Sequence, residues 1–110
     1  ERSTEHMNKS PFDLPQRWID KKGKLDMKVP LNFVCTADII GGNSGSPVVN
    51  KDAEVVGLIF DGNIQSLVLD FAFTEEQGRA VSVHSQGMIE ALRKVYEATN
   101  VADELEGKSK

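Results

Sequence analysis

The feature that most constrains the fold is a series of short apolar runs between positions 31 and 83. They are rich in β-branched and aromatic residues and recur about every ten residues. Turn-forming residues separate them, and we predict a hairpin turn at Asn50-Lys51-Asp52. Such a pattern is typical of a β-sandwich or β-barrel. We therefore predict a mainly β domain with strands over residues 31–36, 47–50, 53–60, 66–73 and 79–83.

The apolar period changes after position 84. One amphipathic stripe predicts a helix over 85–98, with Ser85 as its N-cap. Its apolar members are Met88, Ile89, Leu92, Val95 and Tyr96. Asn100 and Asp103 indicate a further short helix near the C-terminus.

The first thirty residues differ from both regions, because they are polar and broken by Pro11, Pro15 and Pro30. A short helix is expected after Pro15, since proline is tolerated in a first helical turn. We therefore expect three parts: a polar lead-in over 1–30, a β region over 31–84 and a helical segment over 85–110.

Length and composition exclude several classes of function. A chain of 110 residues forms one small domain. Its 13 basic and 17 acidic residues give a net charge of −4, which argues against a nucleic-acid binder, since such proteins carry a basic surface. No apolar run reaches the roughly 18 residues of a membrane span, and the charged first residues do not form a signal peptide. The single Cys35 rules out an internal disulfide. Neither a metal nor another cofactor is expected, because no metal-ligand spacing, phosphate loop or dinucleotide fingerprint is present.

The stretch most informative about chemistry is Gly41-Gly42-Asn43-Ser44-Gly45-Ser46-Pro47, which leads directly into a predicted strand. A serine nucleophile needs an exposed hydroxyl on a rigid turn, with backbone N–H groups directed at the carbonyl oxygen that becomes negative. Glycines permit the backbone angles that such a turn requires. We predict Ser44 as the nucleophile, with the amides of Gly42 and Ser44 forming an oxyanion hole. The alternative interpretation is a glycine-rich hairpin loop with an incidental serine.

The serine loop, together with Gly57-Leu58-Ile59-Phe60-Asp61-Gly62-Asn63, resembles the bacterial dipeptidyl-peptidase VII and XI family of chymotrypsin-type serine peptidases. The likeness extends over residues 11–106. It implies a trypsin-like double β-barrel with a helical insertion, of which this chain would be the second barrel with a C-terminal helix. Members of the family release dipeptides from free N-termini of oligopeptides, and are exported to the periplasm or cell surface.

The resemblance also implies roles for the segment after the serine loop. Asp61 matches the acid that holds the substrate's free α-amino group, although a solvated turn residue is the alternative interpretation. Gly62 matches a position at which family members that prefer acidic residues before the cut bond carry an arginine. Because glycine has no positive charge, the resemblance implies an apolar substrate side chain before the cut bond (the P1 residue). Phe60 and Asn63 are expected to bind substrate beside them. The hairpin at Ala53 lacks the glycine common in relatives.

A catalytic base is missing from the pattern. Such a peptidase needs a histidine and an orienting acid. His6 lacks a preceding strand, and His84 is interpreted as a residue at the start of a helix. We therefore expect the C-terminal part of a longer enzyme, inactive alone. Its partners would be an oligopeptide substrate, the N-terminal barrel and helical domain of the same polypeptide, and further copies in a homo-oligomer.

Two other functions are compatible with the sequence. One is the second barrel of a chymotrypsin-like endopeptidase of the heat-shock or flavivirus type, which would not need Asp61 as an amine anchor. The other is an inactive β-barrel that serves as a binding module.

Overall fold

The computed structural model describes residues 1–72 and 76–108, and it divides into two compact units. One unit comprises residues 27–89 and carries the β-sheet. The other combines residues 1–26 with the described residues from 90 onward, and it is helical.

The sheet unit contains four strands within its described residues, all paired antiparallel. The order across the sheet is β1-β4-β3-β2, so β4 and β3 are central and the sheet is open at β1 and β2. The strands are β1 (Asn32–Cys35), β2 (Pro47–Val49), β3 (Val55–Gly62) and β4 (Ala80–His84). Four of the five predicted strands are therefore present, each with ends shifted by a few residues at most.

The core of this sheet lies where β3 and β4 meet. Ile59 is opposite Ser82, which in turn is opposite Phe33 of β1. Ile59 is 4% exposed, and Ala80 and Ser82 are equally well buried. Because directly opposed residues share a face of the sheet, Ile59 and Ser82 fix which side of β3 is buried.

Strand β3 is irregular beyond Ile59. Its register against β4 shifts between Ile59 and Asp61, so Phe60 is an extra, bulged residue. A β-bulge bends the strand and redirects the side chains that follow it. Phe60 and Asp61 are both exposed as a result, instead of alternating between the two faces.

The predicted strand over 66–73 is wrong. Ile64–Asp70 form a 3₁₀ helix, and residue 73 lies outside the described residues. The side chain of Asn63 caps this helix, because its Oδ1 accepts a hydrogen bond from the amide of Ser66 at 3.1 Å. A capping asparagine favours a helical turn over an extended chain, and the apolar pattern that follows did not reveal this.

The helix that follows β4 begins at the predicted residue but ends four residues earlier than predicted, at Lys94. α3 spans Ser85–Lys94, so Ser85 lies in its first turn and is not the N-cap. The Nδ1 atom of His84 accepts a hydrogen bond from the amide of Gln86 at 3.1 Å and takes that role. His84 is thus positioned at the start of a helix, as the sequence indicated.

The helical unit includes α1 (Arg2–Glu5), α2 (Gln16–Lys21) and α4 (Thr99–Leu105), and a 3₁₀ turn at Lys22–Lys24 follows α2. The helices expected after Pro15 and near Asp103 are both present. Val95 and Ala102 are at most 1% exposed and form its core. Trp18 belongs to this unit and donates a hydrogen bond from Nε1 to the hydroxyl of Tyr96 at 3.2 Å.

Candidate active site

The loop that carries Ser44 is a tight turn organised by Asn43. The Oδ1 atom of Asn43 accepts a hydrogen bond from the amide of Ile40 at 2.8 Å, and the Asn43 amide donates back to the Ile40 carbonyl at 3.1 Å. The Asn43 carbonyl in turn accepts from the amide of Ser46 at 3.0 Å. The residue before the serine therefore closes the turn on both sides, a role that the sequence analysis did not assign to it.

Two glycines in this turn adopt backbone angles that other residues rarely take. Gly42 has φ +99° and Gly45 has φ +88°, both in the left-handed region. An L-residue with a Cβ is strained there, whereas glycine is not. The glycines on either side of Ser44 are thus required by the shape of the turn.

The turn is held directly on strand β3. The amide of Gly45 donates to the carbonyl of Ile59 at 2.7 Å, and the amide of Ile59 donates to the carbonyl of Ser46 at 3.0 Å. Ile59 is also the buried residue of the sheet core. The loop is therefore fixed to the most buried point of β3.

The side chain of Ser44 is exposed at the tip of this turn. The neighbouring amides of Asn43, Gly45 and Ser46 are all engaged in the bonds just described. The amides of Gly42 and Ser44 make no hydrogen bond within the described part of the chain. These two amides therefore have no backbone acceptor within the described residues.

The serine turn and the end of β3 enclose a shared cavity of about 220 Å³. Ser44, Asp61 and Gly62 all line it. The 3₁₀ helix contributes Ser66 and Leu67, which the sequence placed in a strand and assigned to no site. The structure thus brings together Ser44, Asp61 and Gly62, which are 17 to 18 residues apart in the chain (61 − 44 and 62 − 44).

The walls of the cavity are mostly uncharged. Its apolar lining residues are Ile39, Ile40, Ile59, Phe60 and Leu67, of which Phe60 is 47% exposed. Asp61 is the one ionisable residue among the described residues that line the cavity. Its Oδ1 accepts a hydrogen bond from the amide of Gly62 at 2.8 Å, which orients the carboxylate at the end of the strand.

Asn63 supports this wall without lining the cavity. Its Oδ1 accepts from the amides of Ser66 at 3.1 Å and Arg79 at 2.9 Å, and its Nδ2 donates to the carbonyl of Gln77 at 2.8 Å. The amide of Asn63 also donates to the Arg79 carbonyl at 2.9 Å. Asn63 therefore ties the end of β3 to the segment that leads into β4.

Neither histidine lines the cavity. The ring of His84 packs edge-on against Phe33, with 5.6 Å between ring centroids. His6 stacks on Phe12 in the helical unit at 3.8 Å. Within the described residues, no cluster of three or more His, Cys, Asp or Glu side chains is arranged to bind a metal ion.

The model of the family Peptidase S46 matches residues 1–107, and the chain belongs to that family. The predicted likeness to the dipeptidyl-peptidase VII and XI group is confirmed by this match and by the relatives described next.

Two curated relatives are bacterial dipeptidyl-peptidases. The Asp/Glu-specific dipeptidyl-peptidase of Shewanella putrefaciens is 36% identical over 96% of this chain. Dipeptidyl-peptidase 7 of Capnocytophaga gingivalis is 32% identical over 86% of it. The chain spans 15% and 14% of the lengths of these relatives, respectively.

A solved structure of Porphyromonas endodontalis DPP11 with the dipeptide Arg-Asp matches with a TM-score of 0.76 and 22% identity. The match covers 86% of this chain and 15% of that one. It confirms the predicted fold class, a mainly β domain with a C-terminal helix, although the sheet described above is open. Among the helices of the described ranges, none has the length and apolar character needed to cross a membrane.

Proposed function

We propose that the protein containing this chain is a serine dipeptidyl-peptidase that removes dipeptides from the free N-termini of oligopeptides. The observation that carries this proposal is the shared cavity, because Ser44 and Asp61 both line it. A nucleophile near a carboxylate that can hold a protonated amine is what release of a fixed number of N-terminal residues requires.

In the proposed reaction, the Ser44 hydroxyl attacks the carbonyl carbon of the second peptide bond and gives its proton to a base. The carbonyl oxygen becomes an oxyanion held by the amides of Gly42 and Ser44. The C–N bond then breaks, and the proton passes to the leaving amine. Water hydrolyses the resulting ester and releases the dipeptide. We propose that the histidine base and its orienting acid lie outside this chain.

Asp61 would set where the peptide is cut. Its carboxylate is fixed by the Gly62 amide at 2.8 Å and lies at the exposed end of β3. A charge-assisted hydrogen bond between this carboxylate and the substrate's α-ammonium group would hold the N-terminus in place. The second peptide bond would then fall beside Ser44.

The cavity favours an uncharged side chain before the cut bond. Ile40, Ile59, Phe60 and Leu67 supply apolar contacts, and Gly62 adds neither bulk nor charge. Burial of an apolar substrate side chain among these groups is favourable by roughly 25 cal/mol per Å². We therefore propose an apolar P1 residue, with Phe60 in contact with it and Asn63 supporting the wall.

The test uses the full-length protein and a pair of substrates, one with a free N-terminus and one acetylated. We expect Ser44→Ala to abolish hydrolysis. We expect Asp61→Asn to lower kcat/KM for the free substrate by roughly 10- to 100-fold, since hydrogen bonds to charged groups contribute about 1.5–3 kcal/mol.

Asp52→Asn is the matched control, because Asp52 is an exposed residue of the hairpin turn. Equal cleavage of acetylated and free substrates, or no effect of Asp61→Asn, would contradict the proposal. Either result would favour the endopeptidase alternative.

Location and assembly are further parts of the proposal, and they rest on the family resemblance. We propose export to the periplasm or cell surface, which fractionation of the source cells tests. We also propose that an N-terminal barrel and a helical domain of the same polypeptide adjoin this chain. The full-length protein is proposed to form a homo-oligomer. Sedimentation of the full-length protein as a monomer at high concentration would contradict the oligomer.

A further inference from the structure

Position 62 has no room for a side chain, and the obstacle is Ser66. A Cβ atom built on Gly62 would lie 2.3 Å from the Oγ of Ser66 and 3.2 Å from its Cβ. The φ of Gly62 is outside the left-handed region, so its backbone would accept other residues. Glycine is therefore required at this position by the neighbouring hydroxyl, whereas Gly42 and Gly45 are required by their positive φ angles.

Ser66 is held firmly in this place. Its hydroxyl donates to the carbonyl of Asn63 at 2.6 Å. Its amide donates to the same carbonyl at 2.9 Å and to the Oδ1 of Asn63 at 3.1 Å. A different rotamer would give up the hydroxyl bond, so the Oγ cannot move aside without cost.

Ser66 lines the cavity, and the same hydrogen bonds determine whether its hydroxyl can donate or accept there. The hydroxyl proton is directed at Asn63, so the free capacity of the Oγ is that of an acceptor. The apolar residues that line the same cavity include Ile40, Phe60 and Leu67, and Asp61 is the one ionisable residue among its described lining residues.

We infer that Ser66 is a specificity-determining residue, an inference that rests on the proposed function. Its side chain fills the volume that a residue at position 62 would occupy, and its Oγ accepts a hydrogen bond from the substrate's P1 side chain. The site therefore takes aliphatic P1 residues and also those that can donate, such as glutamine. It disfavours a P1 carboxylate, whose oxygen atoms would face this acceptor.

The steric part is tested by unfolding, without any use of activity. The variants Gly62→Ala, Ser66→Ala and the double variant are prepared in the full-length protein. We expect Gly62→Ala to lower Tm by about 1 °C or more, and the double variant to recover most of that loss.

Gly23→Ala is the matched control, because no atom lies within 4 Å of its Cβ position. If the effects of the two single substitutions on Tm were additive, the contact would not constrain position 62 and the inference would be overturned.

The specificity part is tested by binding, in the Ser44→Ala background. The dipeptides Val-Met and Val-Gln are titrated by calorimetry into proteins with Ser66 and with Ser66→Ala. We expect Ser66→Ala to lower the affinity ratio of Val-Gln to Val-Met by roughly 2- to 10-fold, the range for one lost hydrogen bond.

Ser3→Ala should leave the ratio unchanged and serves as the matched serine control. An unchanged ratio in Ser66→Ala would overturn the inference. Absence of hydrolysis by the unmodified protein would instead contradict the proposed function, while the unfolding and binding results would still decide the role of Ser66.

Discussion

Replacement of Asn63 by Ala should loosen the segment that joins the cavity wall to β4. The substitution removes the bonds from the Arg79 amide at 2.9 Å and to the Gln77 carbonyl at 2.8 Å, each worth about 1 kcal/mol net. The third bond, from the Ser66 amide, adds little because that amide also bonds the Asn63 carbonyl. The expected loss of local stability is thus about 2 kcal/mol.

The measurement is hydrogen–deuterium exchange of the peptide covering residues 76–84 in the full-length protein. A loss of about 2 kcal/mol corresponds to exchange roughly 30-fold faster when opening is at equilibrium. Asn100→Ala, an exposed position of α4, should leave this peptide unchanged. An increase of less than about threefold in Asn63→Ala would show that the side chain does not hold the segment.

Asn63→Asp keeps the hydrogen-bond acceptor of this side chain and removes its donor. The remaining Oδ1 can still accept, but a carboxylate oxygen replaces the group that donates to the Gln77 carbonyl. At neutral pH two oxygen atoms then face each other at this contact, so exchange of the peptide covering residues 76–84 should be faster in Asn63→Asp than in the unmodified protein. Exchange as slow as in the unmodified protein would contradict this.

Three further perturbations have expected outcomes. Ala53, in the hairpin turn, has φ +62°, so Ala53→Gly should slow exchange across the turn by a few-fold, and faster exchange would contradict this. Gly45 has φ +88° and open space around it, so Gly45→Ala should destabilise the serine turn by about 1–2 kcal/mol in exchange measurements, whereas Gly41→Ala should not. The hydrogen bond from Lys21 lowers the pKa of Glu97. This pair therefore stabilises the helical unit fully at pH values above the ordinary glutamate pKa of about 4.3, and the stabilisation is lost as the pH falls through the lowered pKa. In Glu97→Gln, the hydrogen exchange rate of α2 should therefore rise less at acidic pH than it does in the unmodified protein. An equal rise in both proteins would show that the Lys21–Glu97 pair does not cause it.

The sequence was sufficient for those elements whose signal is local. The strands around Phe33, Val48 and Ile59 alternate or run apolar between turn residues, and they pair as strands. A tight turn around the serine was also predictable, because the glycines before and after it permit backbone angles that other residues rarely adopt.

The segment after Gly62 was not predictable in the same way. Its apolar residues, such as Leu67 and Val68, have the composition of a strand, yet they are 64% and 58% exposed in a 3₁₀ helix. Asn63 caps this helix through the amide of Ser66, and it also joins the Arg79 backbone, 16 residues further along the chain. No periodicity within 66–73 encodes a bond of that range, and the contribution of Ser66 to the cavity was missed for the same reason.

Strand β3 explains why the site is so dependent on the core of the sheet. Ile59 is 4% exposed, and its backbone bonds the serine turn through Gly45 and Ser46. The bulge at Phe60 follows at once and exposes Asp61 on the cavity wall. Because one short segment contacts the serine turn and also carries Asp61, a shift of Ile59 would move Ser44 and Asp61 together. The spacing between them is therefore less sensitive to core packing than the position of either group relative to residues outside this chain.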